Sequence, residues 1–173
     1  MTEQQIEEQL QATQDCKPLT FPKEYGMGRS FVGGDENEDR LRVRYYLRKS
    51  DKQFFAKVFF GKFAQGPPHH AHGGSMAAVL DEAMGLGALV AGYSVVAAKL
   101  SVEYVKMMPL NMVITVEVNE EKVDGRKVWM KAKIIGADGE IYSRSEGLYI
   151  TIPIEKKENY DLHLRLQKEK EDE

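Results

Sequence analysis

The residues best placed to do chemistry lie in one short run, His69-His70-Ala71-His72-Gly73-Gly74-Ser75, which leads into Met76-Ala77-Ala78-Val79-Leu80-Asp81-Glu82-Ala83-Met84-Gly85. A glycine pair after a histidine opens an apolar helix, and that helix carries a carboxylate two and a half turns in. The first backbone N–H groups of a helix have no intrahelical partner and sit at the positive end of its dipole. Offered through a His-Gly-Gly entry, they can stabilise a developing oxyanion, and the acid is then the candidate base. His69, His70 and His72 also raise the question of a metal. A zinc site needs three or four convergent ligands, and the only cysteine, Cys16, is distant in sequence, so no metal is expected. Side-chain hydrogen bonds that anchor the loop are the expected task of His72.

Helix-forming residues run over 74–91 without a proline, with Ser75 or a neighbouring glycine to cap the start and Gly92 to end it. Apolar residues fall on nearly every side, which suits a helix wrapped by a sheet and makes Asp81 and Glu82 anomalous. At helical spacing Asp81 shares a stripe with Ala77, Gly85 and Ala88. Two accounts of that stripe stand on the sequence alone: room for a ligand beside the acid, or close approach of a neighbouring strand. Glu82 points about 100° away and reads as structural.

Strand patterns surround the helix. Leu41, Val43, Tyr45 and Leu47 alternate, as do Phe54, Ala56, Val58 and Phe60, with residues 49–53 as their turn. Four further runs follow at 96–106, 112–122, 127–136 and 140–152, with Asp124-Gly125 and Asp138-Gly139 as hairpin turns. An antiparallel sheet around one buried helix follows, an α+β architecture. Residues 2–15 open with a weak capping box at Thr2 and Gln5 and carry only Ile6 and Leu10 as apolar contacts, a marginal helix. Residues 17–40 read as loop, with one short strand near Gly28 to Val32. The tail, 155–173, is charged, with Leu162, Leu164 and Leu166 its only apolar hold; it reads as solvated helix or disorder.

The segments GPPHHAHGGSMAAVLDEAMG, AAKLSVEYVKMMPL and VDGRKVWMKAKI together resemble the hotdog-fold acyl-CoA thioesterases of the phenylacetate-pathway and thioesterase-superfamily-member type. The likeness covers residues 60–152 and is strongest at His72, Gly73, Gly74 and Asp81, whose nine-residue His-to-Asp interval is that of the family. It implies a hotdog fold, an antiparallel sheet wrapped around one long central helix, occupying residues 17–154 as a single domain. It implies hydrolysis of an acyl-CoA to free acid and coenzyme A, with no cofactor beyond the coenzyme A of the substrate. Gly73 N–H would hold the thioester carbonyl, and Asp81 of the facing subunit would activate water or attack directly, in a homodimer or dimer of dimers. Two positions depart from the pattern: Gly66 stands where some relatives have an asparagine, and Ala97 where a Ser or Thr commonly orients the water.

Cations for the coenzyme A phosphates are available at Arg126 and Lys127, after a tight turn, and at Lys106. On the residues alone a solvated turn accounts for them. The resemblance turns Arg126 and Lys127 into the nucleotide contacts, with Glu103 to Val105 on the neighbouring strand. Two other functions remain open: a non-catalytic acyl-CoA-binding hotdog protein, favoured by Ala97 and Gly66, and a hotdog hydratase or dehydratase, which needs a histidine acid-base partner that only His163 supplies outside the 69–72 loop.

The 173 residues, 42% hydrophobic and 29% charged, suffice for one core of ordinary size. A net charge of −3 argues against a nucleic-acid surface. One cysteine gives no disulfide framework, and no apolar run near the N-terminus resembles a signal peptide or membrane span, so the cytoplasm is the expected compartment.

Overall fold

The structure is a computed structural model and describes residues 1–21, 30–33 and 39–153. The charged tail with His163 lies outside the described residues, as do Gly28 and Arg29 of the expected Gly28 to Val32 strand; the described remainder is not a strand, since Phe31 to Gly33 form a turn.

Alternation and turn chemistry generate the sheet. β2 (Leu41–Arg48) and β3 (Phe54–Phe60) pair antiparallel with Leu41 opposite Phe60 and Leu47 opposite Phe54. β4 (Val95–Tyr104), β5 (Met112–Asp124), β6 (Lys127–Gly136) and β7 (Ile141–Thr151) follow the central helix α2 (Gly73–Ala91). The two Asp-Gly turns place Gly125 at φ 57° and Gly139 at φ 79°, the left-handed region that a residue without Cβ occupies freely. One strand escapes the sequence reading. β1 (Cys16–Leu19) buries only Leu19 and pairs solely with β2, as an edge strand containing Pro18 can. The seven strands run in the order β1-β2-β3-β5-β6-β7-β4.

The inner face of this sheet closes on α2. Ala56, Val58 and Phe60, Ile114, Val116 and Val118, and Val128, Met130, Ala132 and Ile134 meet Met76, Leu80, Ala83, Met84 and Ala88 in one core. Helix and sheet approach closely at Gly87, where a Cβ would lie 2.8 Å from Val118. Alone, α2 is long and apolar enough to span a membrane, but here it is the helix about which the sheet is built. This is the hotdog arrangement.

The outer face is not uniformly polar. Phe59 and Val113 are buried there under α1 (Glu3–Leu10), which contributes Ile6 and Leu10. The Thr2–Gln5 capping box forms, and the helix ends at Leu10, short of the expected residue 15. Arg42 ties α1 down through Glu3 and Glu7, and Lys57 Nζ donates to the Gln9 and Gln11 carbonyls at 2.8 and 2.9 Å. At the far end of the sheet, β4 has no residue fully buried, and Val96 and Tyr104 are about half exposed.

Candidate active site

The start of α2 is capped by a side chain other than those expected. His72, extended at φ −68° and ψ 131°, is the N-cap, and its Nδ1 accepts the Gly74 N–H at 2.8 Å. Neither Ser75 nor a glycine does this; Ser75 Oγ instead donates back to the His72 carbonyl at 2.7 Å. Accepting at Nδ1 puts the imidazole proton on Nε2, so His72 acts as the loop anchor. Its own N–H donates to the Ala64 carbonyl at 2.7 Å, and Ala71 N–H to that of Met108 at 2.8 Å. His70 Nδ1 lies 2.8 Å from the Pro68 carbonyl. Among the described residues no three His, Cys, Asp or Glu side chains are grouped to hold a metal.

This bracing leaves Gly73 N–H, at the first helical position, without a partner among the described residues. Tyr104 Oη donates to the Gly73 carbonyl at 2.9 Å, and a Cβ at Gly73 would stand 3.1 Å from the Tyr104 ring. Gly66 has a comparable steric reason. A Cβ there would meet the His72 backbone at 2.7 Å, so an asparagine at 66 would not fit this loop. A cavity of about 280 Å³ opens at this end, lined by Pro67, Gly73, Met76, Tyr104, Val105 and Lys106 among others. Lys106 pairs with Glu140.

Asp81 lies eight residues further along α2. At the usual helical rise that is a distance of about 12 Å. It is partly buried and lines a different cavity, of about 340 Å³, with Glu82, Gly85, Leu86, Ala97 and Tyr149. Tyr149 Oη donates to Asp81 Oδ1 at 2.9 Å and approaches the Asp81 carbonyl at 3.1 Å. Burial, reinforced by the Asp81 charge, pushes the Tyr149 phenol well above its ordinary range, so it stays a donor. Asp81 Oδ2 accepts from no described residue. Glu82 differs: Tyr45 Oη and Ser30 Oγ both donate to it, tying the turn at Ser30 to Gly33 onto the helix, and burial with the Glu82 charge drives the Tyr45 phenol up. The structural role expected of Glu82 is what its partners give it.

Of the remaining sequence candidates, three line one cavity or the other, and Glu103, Arg126 and Lys127 line neither. Val105 and Lys106 belong with Gly73; Glu103, one strand residue before Tyr104, receives a Ser143 Oγ bond on its carbonyl at 2.8 Å. Ala97 belongs with Asp81. Arg126 and Lys127 are exposed at the β5–β6 turn, and Arg126 donates from Nε and Nη2 to the Thr151 carbonyl at 3.2 and 3.0 Å. Thr151 precedes Ile152, which lines the Asp81 cavity. Arg126 is thus nearer the Asp81 side than Gly73. Tyr149 and Tyr104, which sequence reasoning left as ordinary strand residues, donate to the Asp81 carboxylate and the Gly73 carbonyl.

Comparison with known proteins finds thioesterases. Residues 69–142 match the model of the thioesterase superfamily. The acyl-coenzyme A thioesterase THEM4 of Bos taurus is 30% identical over 122 residues, 69% of this chain and 50% of its own length. A thioesterase superfamily protein of known structure superposes with a TM-score of 0.60 at 32% identity, over 63% of this chain and 53% of the other. A hypothetical thioesterase from Streptococcus pneumoniae, solved with coenzyme A, shares the fold at 18% identity with a TM-score of 0.56, over 58% of this chain and 78% of its own. The chain spans about half the length of the curated relatives it matches.

Proposed function

Because residues 69–142 match the model of the thioesterase superfamily, we propose that the protein hydrolyses an acyl-CoA thioester to a free acid and coenzyme A, in a site shared between two copies of the chain. The observation that carries the reading is the division of labour along α2. Among the described residues, Gly73 offers an unpaired backbone N–H and Asp81 a carboxylate with one oxygen free, and the two groups line separate cavities. They stand about 12 Å apart along the helix axis. One thioester carbonyl cannot meet both within a single chain. A second copy set against the first lets Gly73 of one protomer face Asp81 of its partner. The half-exposed apolar side chains along β4, Val96 and Tyr104, provide a surface for that contact.

In such a site Asp81 takes a proton from water as the hydroxide attacks the carbonyl carbon, and the Gly73 N–H receives the resulting oxyanion. Collapse breaks the carbon–sulfur bond, and the coenzyme A sulfur leaves with the proton from Asp81. Attack by the carboxylate itself, giving a mixed anhydride that water then cleaves, uses the same groups. No metal is required by either route. The coenzyme A in the Streptococcus pneumoniae structure supports the ligand class, and exposed cations at Arg126 and Lys127 suit its phosphates.

Release of free thiol from a panel of acyl-CoAs tests the activity, and binding without release would favour a non-catalytic acyl-CoA carrier, the alternative for which the bare methyl of Ala97 in the Asp81 cavity speaks. The shared site is tested by mixing Asp81→Asn protomers with Gly73→Pro protomers. Partial recovery of activity in exchanged dimers is expected, because one of the two sites then holds both intact groups. No recovery in dimers shown to have exchanged sinks the shared site.

A further inference from the structure

Resting on the reading of Asp81 as the base or nucleophile, we propose that Tyr149 is the positioning residue that holds this carboxylate for reaction, one Asp81 oxygen being fixed by the phenol while the other is left for water or the acyl carbon.

Three independent features of the structure converge on it. The first is the register of the sheet. Tyr149 lies between Val128 of β6 and Ala97 of β4, directly opposite Ala97. Ala97 and Tyr149 line the same cavity as Asp81, and Ala97 brings only a methyl group to it. The strand position next to the acid therefore lacks a hydroxyl, and the residue paired with it across the ladder supplies one.

The second is the slot in which the ring lies. A Cβ at Gly147, two residues earlier on the same face of β7, would stand 2.5 Å from the Tyr149 ring and 3.3 Å from Met84. A Cβ at Gly85 of α2 would be 3.9 Å from the same ring. The gap in side-chain volume at Gly147, with Gly85 facing it, lets a tyrosine lie flat between sheet and helix and reach Asp81 one turn earlier. At Gly85 the stripe of small residues that includes Asp81 thus borders this ring.

The third is the protonation state. Tyr149 is 2% exposed. Burial, followed by the Asp81 charge, keeps its proton on the phenol. It donates at 2.9 Å to Oδ1 and, at 3.1 Å, to the backbone carbonyl of the same residue, so the hydroxyl fixes the side chain relative to its own helix turn. Oδ2 has no such donor among the described residues. An acid held by a single oxygen keeps the other available, whereas Glu82, with hydroxyls of Tyr45 and Ser30 on its carboxylate, is held by two elements at once.

The test compares Tyr149→Phe with Asp81→Asn in full-length protein by free-thiol release. Tyr149→Phe keeps the ring in its slot and removes only the hydroxyl. The expected result is a roughly 10- to 100-fold fall in kcat, the worth of a hydrogen bond to a charged group, with KM for acyl-CoA unchanged and cooperative thermal unfolding retained. Adding Ala97→Ser to Tyr149→Phe, which returns a hydroxyl to the cavity from the paired position, is expected to recover part of that loss in kcat. Wild-type kcat in Tyr149→Phe alongside an inactive Asp81→Asn overturns the role of Tyr149 and leaves that of Asp81 standing. A lowered melting temperature with kcat per folded enzyme intact does the same, since it makes the phenol a packing contact only. Wild-type turnover in Asp81→Asn itself overturns both.

Discussion

The two chemical stations on α2 are built on opposite principles. At Gly73 the proposed functional atom belongs to the backbone, and its position is set by what surrounds it: the His72 cap, the Ala64 and Met108 carbonyls that hold the loop, and a Tyr104 ring that a Cβ would crowd at 3.1 Å. At Asp81 the proposed functional atoms belong to a side chain with rotamers of its own, and a tyrosine distant in sequence restrains them. A backbone donor is positioned by exclusion, an acidic side chain by tethering. Glu82 shows how the second principle can be carried too far for chemistry: bridging Tyr45 and Ser30, it fastens a loop.

The largest effect should come from the tethered station. Asp81→Asn preserves volume and can still accept from Tyr149, so the fold should survive while thiol release falls by about two to four orders of magnitude. Turnover near wild type would make Asp81 a structural residue like its neighbour. The backbone station should cost less. Gly73→Pro removes the N–H at a position where a helix tolerates proline, after a His72 already in the extended conformation that must precede one, and should lower kcat by about two to three orders of magnitude. Gly73→Ala sharpens this, because it places the same Cβ against Tyr104 but keeps the donor; a markedly smaller loss than for proline favours the hydrogen bond, and equal losses would assign the effect to crowding. The smallest effect concerns the nucleotide. Arg126→Ala with Lys127→Ala should raise KM for acyl-CoA a few-fold at constant kcat, with added salt mimicking the change, as expected for exposed charges. Lys106→Ala, at the Gly73 end and paired with Glu140, should leave KM alone. The reverse outcome would move the phosphates to the other cavity.

Much of this scaffold is written locally. Two Asp-Gly turns, strict alternation in Ile114-Val116-Val118 and Val128-Met130-Ala132-Ile134, and an uninterrupted apolar helix each carry their signal within a dozen residues, and the sheet follows from them. His72 and Asp81 of the candidate site, one the cap of α2 and the other within it, stand out for the same local reason. What stayed hidden depends on contacts between distant segments. β1 is four residues with one buried, too short for a period to show. The burial of Phe59 and Val113 on the outer face depends on a helix more than forty residues from either, so the paired phenylalanines of β3 look redundant until α1 lies over them. Tyr149 meets Asp81 only through the register of β7. One signal could have pointed to it: Gly147, on the same strand face two residues earlier, leaves a space that a large ring beside it can fill.

The strap formed by α1 also gives the molecule a response to acid. The hydrogen bond from Arg42 holds the Glu3 carboxyl below its usual range, and Arg42 itself lies over the Phe59 ring at 5.5 Å. A carboxylate whose pKa is depressed on folding favours the docked strap at neutral pH, and that contribution is lost as the pH falls through the folded value. Protonation weakens the latch while the inner core, which holds no part of it, is untouched. Glu3 is exposed, so the loss is small: Ile6 and Leu10 still cover Phe59 and Val113, and Lys57 still holds the Gln9 and Gln11 carbonyls, so acid removes one tie of several. Acid sensitivity of the outer face is thus carried by a single charge pair among several contacts, and a Glu3→Gln variant should lose it without losing the strap.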